Sequence, residues 1–146
     1  MKTRMKPLTR ADLASFPTLK SWARQLAQLL QKAIVEPHFT ATVEATNARE
    51  VSIQLQDRLG RNVVGRWPID LWITTVVDGA PDATGNTVLV LTGTQLSEYT
   101  ANAAYRLLTD ETGLAKVRIT IVGTATRYVY ATAGGESLNS GALDWA

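Results

Sequence analysis

From His38 onward the apolar and polar residues of this chain alternate with a period of two, the mark of half-buried β-strands. Phe39-Thr40-Ala41-Thr42-Val43-Glu44-Ala45 reads as a first strand and residues 50–56 as a second, with the turn formers Thr46-Asn47-Ala48 between them. Pro68, suited to a strand start or edge, precedes a strand over Ile69-Asp70-Leu71-Trp72-Ile73-Thr74. After an exposed loop over residues 78–85 comes the apolar run Thr87-Val88-Leu89-Val90-Leu91, compatible with burial on both faces. Residues 93–103 read as an irregular connection. Residues 105–108, 115–122 and 127–131 supply further strands, and a last short one lies near 142–145, after the Gly134-Gly135 turn.

Two D-x-x-G segments punctuate this pattern, Asp57-Arg58-Leu59-Gly60 and Asp110-Glu111-Thr112-Gly113. Each sets an Asp where its carboxylate can accept from a backbone N–H ahead of it, and a Gly where the chain can take positive φ. Both are read as hairpin turns. Their flanks differ too much for a tandem repeat. Seven or more short strands separated by turns predict a mainly β protein, an Ig-like antiparallel β-sandwich over residues 37–146.

Upstream the period changes. Thr18 to Val35 contains no Gly or Pro and reads as helix, with Pro37 as its stop. Leu19, Trp22, Leu26, Leu29 and Ala33 recur at spacings of three and four, an apolar seam that must find a partner for an isolated helix to be populated. The partner can be the sandwich itself, a sister helix in a dimer or trimer, or a groove on another protein. Leu19, Trp22, Leu26 and Leu29 are therefore candidate partner-binding residues.

The net charge of +2 hides an asymmetry. Residues 1–36 carry seven Lys and Arg against Asp12 and Glu36, a net of +5, while the remainder carries −3. A cationic arm on an acidic body steers towards anionic surfaces, or is simply a solvated tail. A hydrophobic content of 45% in 146 residues suffices for one core without staples. With no cysteine, neither disulfides nor a thiolate metal site is available, which favours an intracellular assembly route. The basic start lacks the apolar run of a signal peptide, and no segment reads as a membrane span, so a soluble protein is expected.

Candidate chemistry is sparse. His38 is the sole histidine and reads as a linker residue at the junction of arm and body. No arrangement brings a nucleophile and a carboxylate to it, so no catalytic triad is expected. Asp70, Asp78, Asp82 and Glu98 show no spacing that singles out an acid pair, and loop 78–82 lacks the dense D-x-D-x-D run of a Ca²⁺ site. No cofactor, metal or catalytic residue is assigned. Trp67 and Trp72 can be imagined as a sugar-stacking platform. Strand alternation instead makes Trp72 one packed ring and the exposed Trp67 an interface anchor, a fifth candidate partner-binding residue. Nucleic-acid binding by the arm is not favoured, because its cations are not interleaved with stacking aromatics apart from Trp22.

Glu44 to Gly60 resembles a pattern in small Ig-like structural proteins of tailed bacteriophages, where an A-x-N segment leads into an alternating strand ending Q-L-x-D-x-x-G. Leu108 to Gly113 with Val117 to Ile121, and the ending from Tyr128 through Trp145, resemble it too, so the likeness spans most of residues 40–146. The resemblance implies a virion component displayed in many copies, assembled in the host cytoplasm, with no catalytic residue to carry over. Its expected partners are the major capsid protein or other virion proteins and sister copies; from the sequence itself no membrane partner is expected, and nucleic-acid binding by the arm is a weak runner-up. A head decoration or cement protein is the expected role; a tail, neck or fibre component and a carbohydrate-binding module are the alternatives. The basic arm lies outside the resemblance.

Overall fold

A computed structural model describes residues 21–27 and 34–146. Among these residues ten antiparallel strands form two packed sheets, an Ig-like β-sandwich. The four-stranded sheet contains β1 (Val35–Ala41), β2 (Ala48–Asp57), β7 (Leu114–Ile121) and β4 (Asn86–Thr92), in that order. The other runs β10 (Leu143–Trp145), β8 (Ala125–Ala133), β3 (Pro68–Thr74), β6 (Ala104–Leu108) and β5 (Thr94–Thr100), with β9 (Glu136–Asn139) also on β8.

Alternation explains which side chains meet. Val51, Ile53 and Leu55 of β2 and Val117, Ile119 and Ile121 of β7 point inward. They face Ile69, Leu71 and Ile73 of β3, Tyr105 and Leu107 of β6, and Val129 and Ala131 of β8. Most are essentially inaccessible to water, and each large one contributes about 1.5–3 kcal/mol of transfer free energy. Trp145, 1% exposed, joins this core from the last strand, and Arg49 lies over its ring at 5.4 Å.

The sequence reading placed the first strand four residues late. β1 starts at Val35, so the body begins there and not at residue 37, and the predicted helix cannot run through residue 35. Pro37 does not act as a helix stop but sits buried inside β1, opposite Leu55. It is tolerated because β1 is an edge strand with β2 on one side only. Residues 93–103, read as an irregular connection, contain β5, an exposed edge strand whose pairing with β6 shifts register twice. Its polar residues do not alternate with buried ones, so period-two reading had nothing to detect. Gly93, at φ +89, joins β4 to β5 across the two sheets; a Cβ there would meet the Leu108 carbonyl at 2.6 Å.

The Asp57 turn folds the chain back on β2 for a short stretch, through an antiparallel Gln56–Asn62 bridge and bonds of 2.9 Å from Asp57 N–H to Arg61 O and from Val63 N–H to Leu55 O, but neither D-x-x-G turn joins two neighbouring strands of one sheet. β2 and β3 lie in different sheets, as do β6 and β7, so both turns are corners where the chain crosses between layers. The local chemistry is as expected. Asp57 Oδ1 accepts from the N–H groups of Leu59 and Arg61, at 2.9 and 3.1 Å. Asp110 Oδ1 accepts from those of Thr112 and Leu114, at 2.8 and 3.0 Å. Tertiary contact decides the outcome: the corners are laced together by Leu55 N–H to Gly113 O (3.0 Å) and Gly65 N–H to Glu111 O (2.8 Å). Gly113, at φ +76, is the point of closest approach, for a Cβ there would collide with the Val63 carbonyl.

Candidate functional site

The strand registers sort the connections by end. Ala48 pairs with Thr120, Asn86 with Ile121, Thr74 with Tyr128 and Trp145 with Ala125. Residues 42–47, 75–85, 101–103, 122–124 and the terminus at 144–146 therefore gather at one end of the sandwich, the loop end. The two D-x-x-G corners and the start of β1 occupy the other.

Local chemistry fixes the loop-end segments. Thr46 and Asn47, at φ +54 and +62, form a two-residue reversal closed by reciprocal Ala45–Ala48 backbone bonds of 2.9 and 3.0 Å. Glu44 Oε1 accepts from Asn47 N–H at 2.9 Å, and Ile121 N–H donates to Asn47 O, tying this turn to the 122–124 turn. In the β3–β4 loop, Tyr130 Oη accepts from Asp78 N–H at 2.7 Å and donates to Asp78 Oδ1 at 3.2 Å. Asp82 accepts from Thr84 N–H at 2.8 Å and from the Thr75 hydroxyl at 3.2 Å. Bonds from Thr84, opposed by partial burial, hold the Asp82 carboxyl below its ordinary range. Arg127 is buried and spends its guanidinium within the body, on Asn86 Oδ1 (2.9 Å) and on the Thr84 and Thr126 carbonyls.

This end exposes apolar side chains and carries both carboxylates and guanidinium groups. Val43 and Val122 are each 85% exposed, and Val76 and Val77 are 60% and 57% exposed. The loop-end segments contain Glu44, Asp78, Asp82 and Asp144 and no Lys or Arg. Among the described residues none of these four carboxylates is ion-paired. Arg49 comes nearest in sequence position, and it binds the Asp144 backbone carbonyl and Thr42 O instead. At the opposite end Arg58 pairs with Glu36 (3.0 Å), Arg61 with Asp57 (2.7 Å) and Arg66 with Glu111 (3.4 Å), while Asp110 accepts from Thr112 and the Leu114 N–H. A shallow groove of about 410 Å³, lined by Thr42, Val43, Ala45, Thr46, Ala48, Glu50 and Arg118, runs from the loop end onto the outer face of the four-stranded sheet. Its floor is an ion pair, Arg118 Nη2 to Glu50 Oε1 at 2.6 Å, which holds the Glu50 carboxyl below its usual range against a smaller burial effect.

The residues singled out in the sequence do not converge. Trp22 and Leu26 lie in helical residues 21–27 and are 53% and 42% exposed. Leu19 and Leu29 lie outside the described residues. Trp67 is 38% exposed at the corner end, where its indole N–H donates to Val64 O at 3.3 Å and its backbone N–H to Thr109 Oγ1 at 2.8 Å. Trp72, towards the other end of β3, stacks on Tyr130 across the strands with centroids 5.2 Å apart and planes at 11°. The two tryptophans thus have separate neighbours. His38 is not in a linker but in β1, paired with Gln54. Among the described residues no three His, Asp or Glu side chains converge as metal ligands, and no helix is long and apolar enough to cross a membrane. The exposed valines were missed because single apolar residues in turn segments carry no periodic signal; only their gathering at one end makes them notable.

No family model matches the chain, and no curated protein matches it. Among solved structures, a conjugative transposon lipoprotein from Bacteroides eggerthii is 14% identical, with 76% of this chain and 93% of that one covered and a TM-score of 0.40. The GAE domain of GGA2p from Saccharomyces cerevisiae is 10% identical, with coverage of 79% and 89% and a TM-score of 0.31. A yeast GGA1 GAE domain is 12% identical, with coverage of 77% and 91% and a TM-score of 0.28.

Proposed function

We propose that this chain is a structural component of a tailed-phage virion, a head decoration or cement protein that holds to the major capsid protein through packed surfaces. The distribution of side chains on the body is the observation that carries the contact-based part of this reading. Valines stand exposed on the tips of three connections at one end of the sandwich, in segments that also contain Glu44, Asp78, Asp82 and Asp144. Such a surface suits protein contact, in which apolar side chains are desolvated and charge sets register. The phage setting rests on the resemblance of the Glu44–Gly60 and Leu108–Ile121 segments to Ig-like virion proteins. Display in many copies makes individually modest contacts sufficient.

The test is localisation. Antibody raised against the purified chain is applied to separated heads and tails of the phage that encodes it. Label on intact heads, in numbers proportional to the capsid subunits, is the expected result. Label confined to tails moves the role to a tail, neck or fibre component, and absence from purified particles ends the proposal.

A further inference from the structure

The β3–β4 loop contains the sole Asp–Gly step of the chain, Asp78-Gly79, and the sequence has no Asn–Gly step. At such a step the backbone nitrogen that follows the aspartate can attack the aspartate side chain, because glycine places no side chain in the way. In the neutral acid the Gly79 nitrogen bonds to Asp78 Cγ, the Cγ–OH bond breaks, and the hydroxyl leaves with the amide proton as water, closing a succinimide ring. Water then opens the ring at either carbonyl. Attack at Cγ returns aspartate, and attack at the main-chain carbonyl leaves a β-aspartyl link that adds a methylene to the backbone. The loop keeps this pair for a local reason. Asp78 stands at φ +55, a region that Asp tolerates. A Cβ on Gly79 would meet Val76 Cγ2 at 2.8 Å and the Val76 carbonyl oxygen at 3.1 Å, so a larger residue is not readily admitted there. Asp78 is exposed, and the water that opens the ring has access to it.

The fold gives both reacting groups other partners. Asp78 Oδ1 accepts from Tyr130 Oη at 3.2 Å, and Asp78 N–H donates to the same oxygen at 2.7 Å. Gly79 N–H donates to Val76 O at 3.2 Å, and that carbonyl also accepts from the Thr74 hydroxyl at 2.7 Å. Tyr130 cannot follow the loop outward. It is 5% exposed, stacked on Trp72, and set in β8 opposite Trp72 on one side and Asn139 on the other. Condensation requires the carboxyl carbon to reach the Gly79 nitrogen and that nitrogen to give up its proton, so these bonds must open first. We infer that Asp78-Gly79 is a β-aspartyl isomerisation site and that Tyr130 is its clasp, suppressing the reaction in the folded protein and permitting it when the loop opens locally. The product loses the two-bond fit to Tyr130, because the added methylene separates the backbone N–H from the carboxylate that it replaces, and the exposed Val76 and Val77 shift with it.

This chemistry belongs to the body alone and stands or falls apart from the virion proposal. The native full chain and Tyr130→Phe are incubated in warm, mildly acidic buffer, with a parallel sample of each in guanidinium chloride, and β-aspartyl residues are located and counted by peptide mapping with mass spectrometry. Phenylalanine keeps the ring that stacks on Trp72, and circular dichroism and the unfolding midpoint verify that the body is intact. β-Aspartate is expected at position 78. It should form at least about tenfold more slowly in the folded native chain than in denaturant, where no bond restrains the loop. In folded Tyr130→Phe it should form about fivefold faster than in the native chain, because the lost hydroxyl made two bonds of ordinary strength to Asp78. The two chains should react alike in denaturant. Equal rates for folded native chain and folded Tyr130→Phe, equal rates for native chain folded and unfolded, or β-aspartate that forms at other positions and not at 78 overturns the inference. If Tyr130→Phe does not fold, Asp78→Asn in the otherwise native chain decides the matter. It keeps an acceptor oxygen and the N–H for Tyr130, and its deamidation is read as a gain in mass. Slower deamidation in buffer than in denaturant is the expected result, and equal rates overturn the inference.

Discussion

Gly60 and Gly113 close equivalent D-x-x-G turns at nearly the same backbone angle, φ +75 and +76, yet only one approaches another segment. A Cβ on Gly60 meets nothing within 4 Å, whereas on Gly113 it collides with the Val63 carbonyl oxygen. Replacing either by alanine forces an L-residue into the left-handed region at about 1–2 kcal/mol, offset by about 0.4–1 kcal/mol from the lower entropy of the unfolded chain. Gly60→Ala should therefore destabilise by about 1 kcal/mol. In Gly113→Ala the Val63 segment must also retreat, disturbing Val63 N–H to Leu55 O, Leu55 N–H to Gly113 O and Gly65 N–H to Glu111 O. At about 1 kcal/mol for each of three backbone bonds, the total reaches about 4 kcal/mol. Urea unfolding of both variants measures the difference: with a slope near 1.5 kcal/mol/M, their midpoints should lie about 2 M apart. Equal midpoints would show that the corners are not locked through Gly113, and that each turn is held only by its own aspartate.

Other substitutions probe the same lacing and the exposed rings. Thr109 is 2% exposed, accepting from Trp67 N–H at 2.8 Å and donating to Gly65 O at 3.1 Å. Thr109→Val keeps the shape but strands both backbone groups, so a loss of about 1–3 kcal/mol is expected in urea unfolding, and a loss below about 0.5 kcal/mol would count against burial of the pair. Hydrogen bonding from Arg61 holds the Asp57 carboxyl below its ordinary value of 3.8, against a smaller burial effect. Its contribution is thus fully present above that value and is lost as pH falls through the lower folded-state value. The native unfolding midpoint should drop on acidification below about pH 4 more steeply than that of Asp57→Asn, whose side chain does not titrate; parallel profiles would refute the assignment. If Trp67 anchors a protein partner and not a sugar, a glycan array probed with the native chain stays silent. Binding there that Trp67→Ala abolishes would reverse that reading.

Alternation alone was enough to place the core, because burying one face of a strand imposes a period that composition cannot hide. Val51, Ile53 and Leu55, or Val117, Ile119 and Ile121, declare their inward direction without coordinates. The aspartates of the two turns were legible for a similar reason: a carboxylate capping N–H groups two and four residues ahead is wholly local chemistry. What followed each turn was not local. Whether the chain returns along its own sheet or crosses to the other depends on which layer needs the next apolar face, and both corners crossed. β5 escaped notice because an exposed edge strand gives nothing to the core and so writes no period, while Pro37 misled because an edge strand tolerates a residue that would end a helix. The loop end shares this character. Val43, Val76, Val77 and Val122 are unremarked singly, separated by up to 79 positions, and only the antiparallel registers bring their connections to the same end.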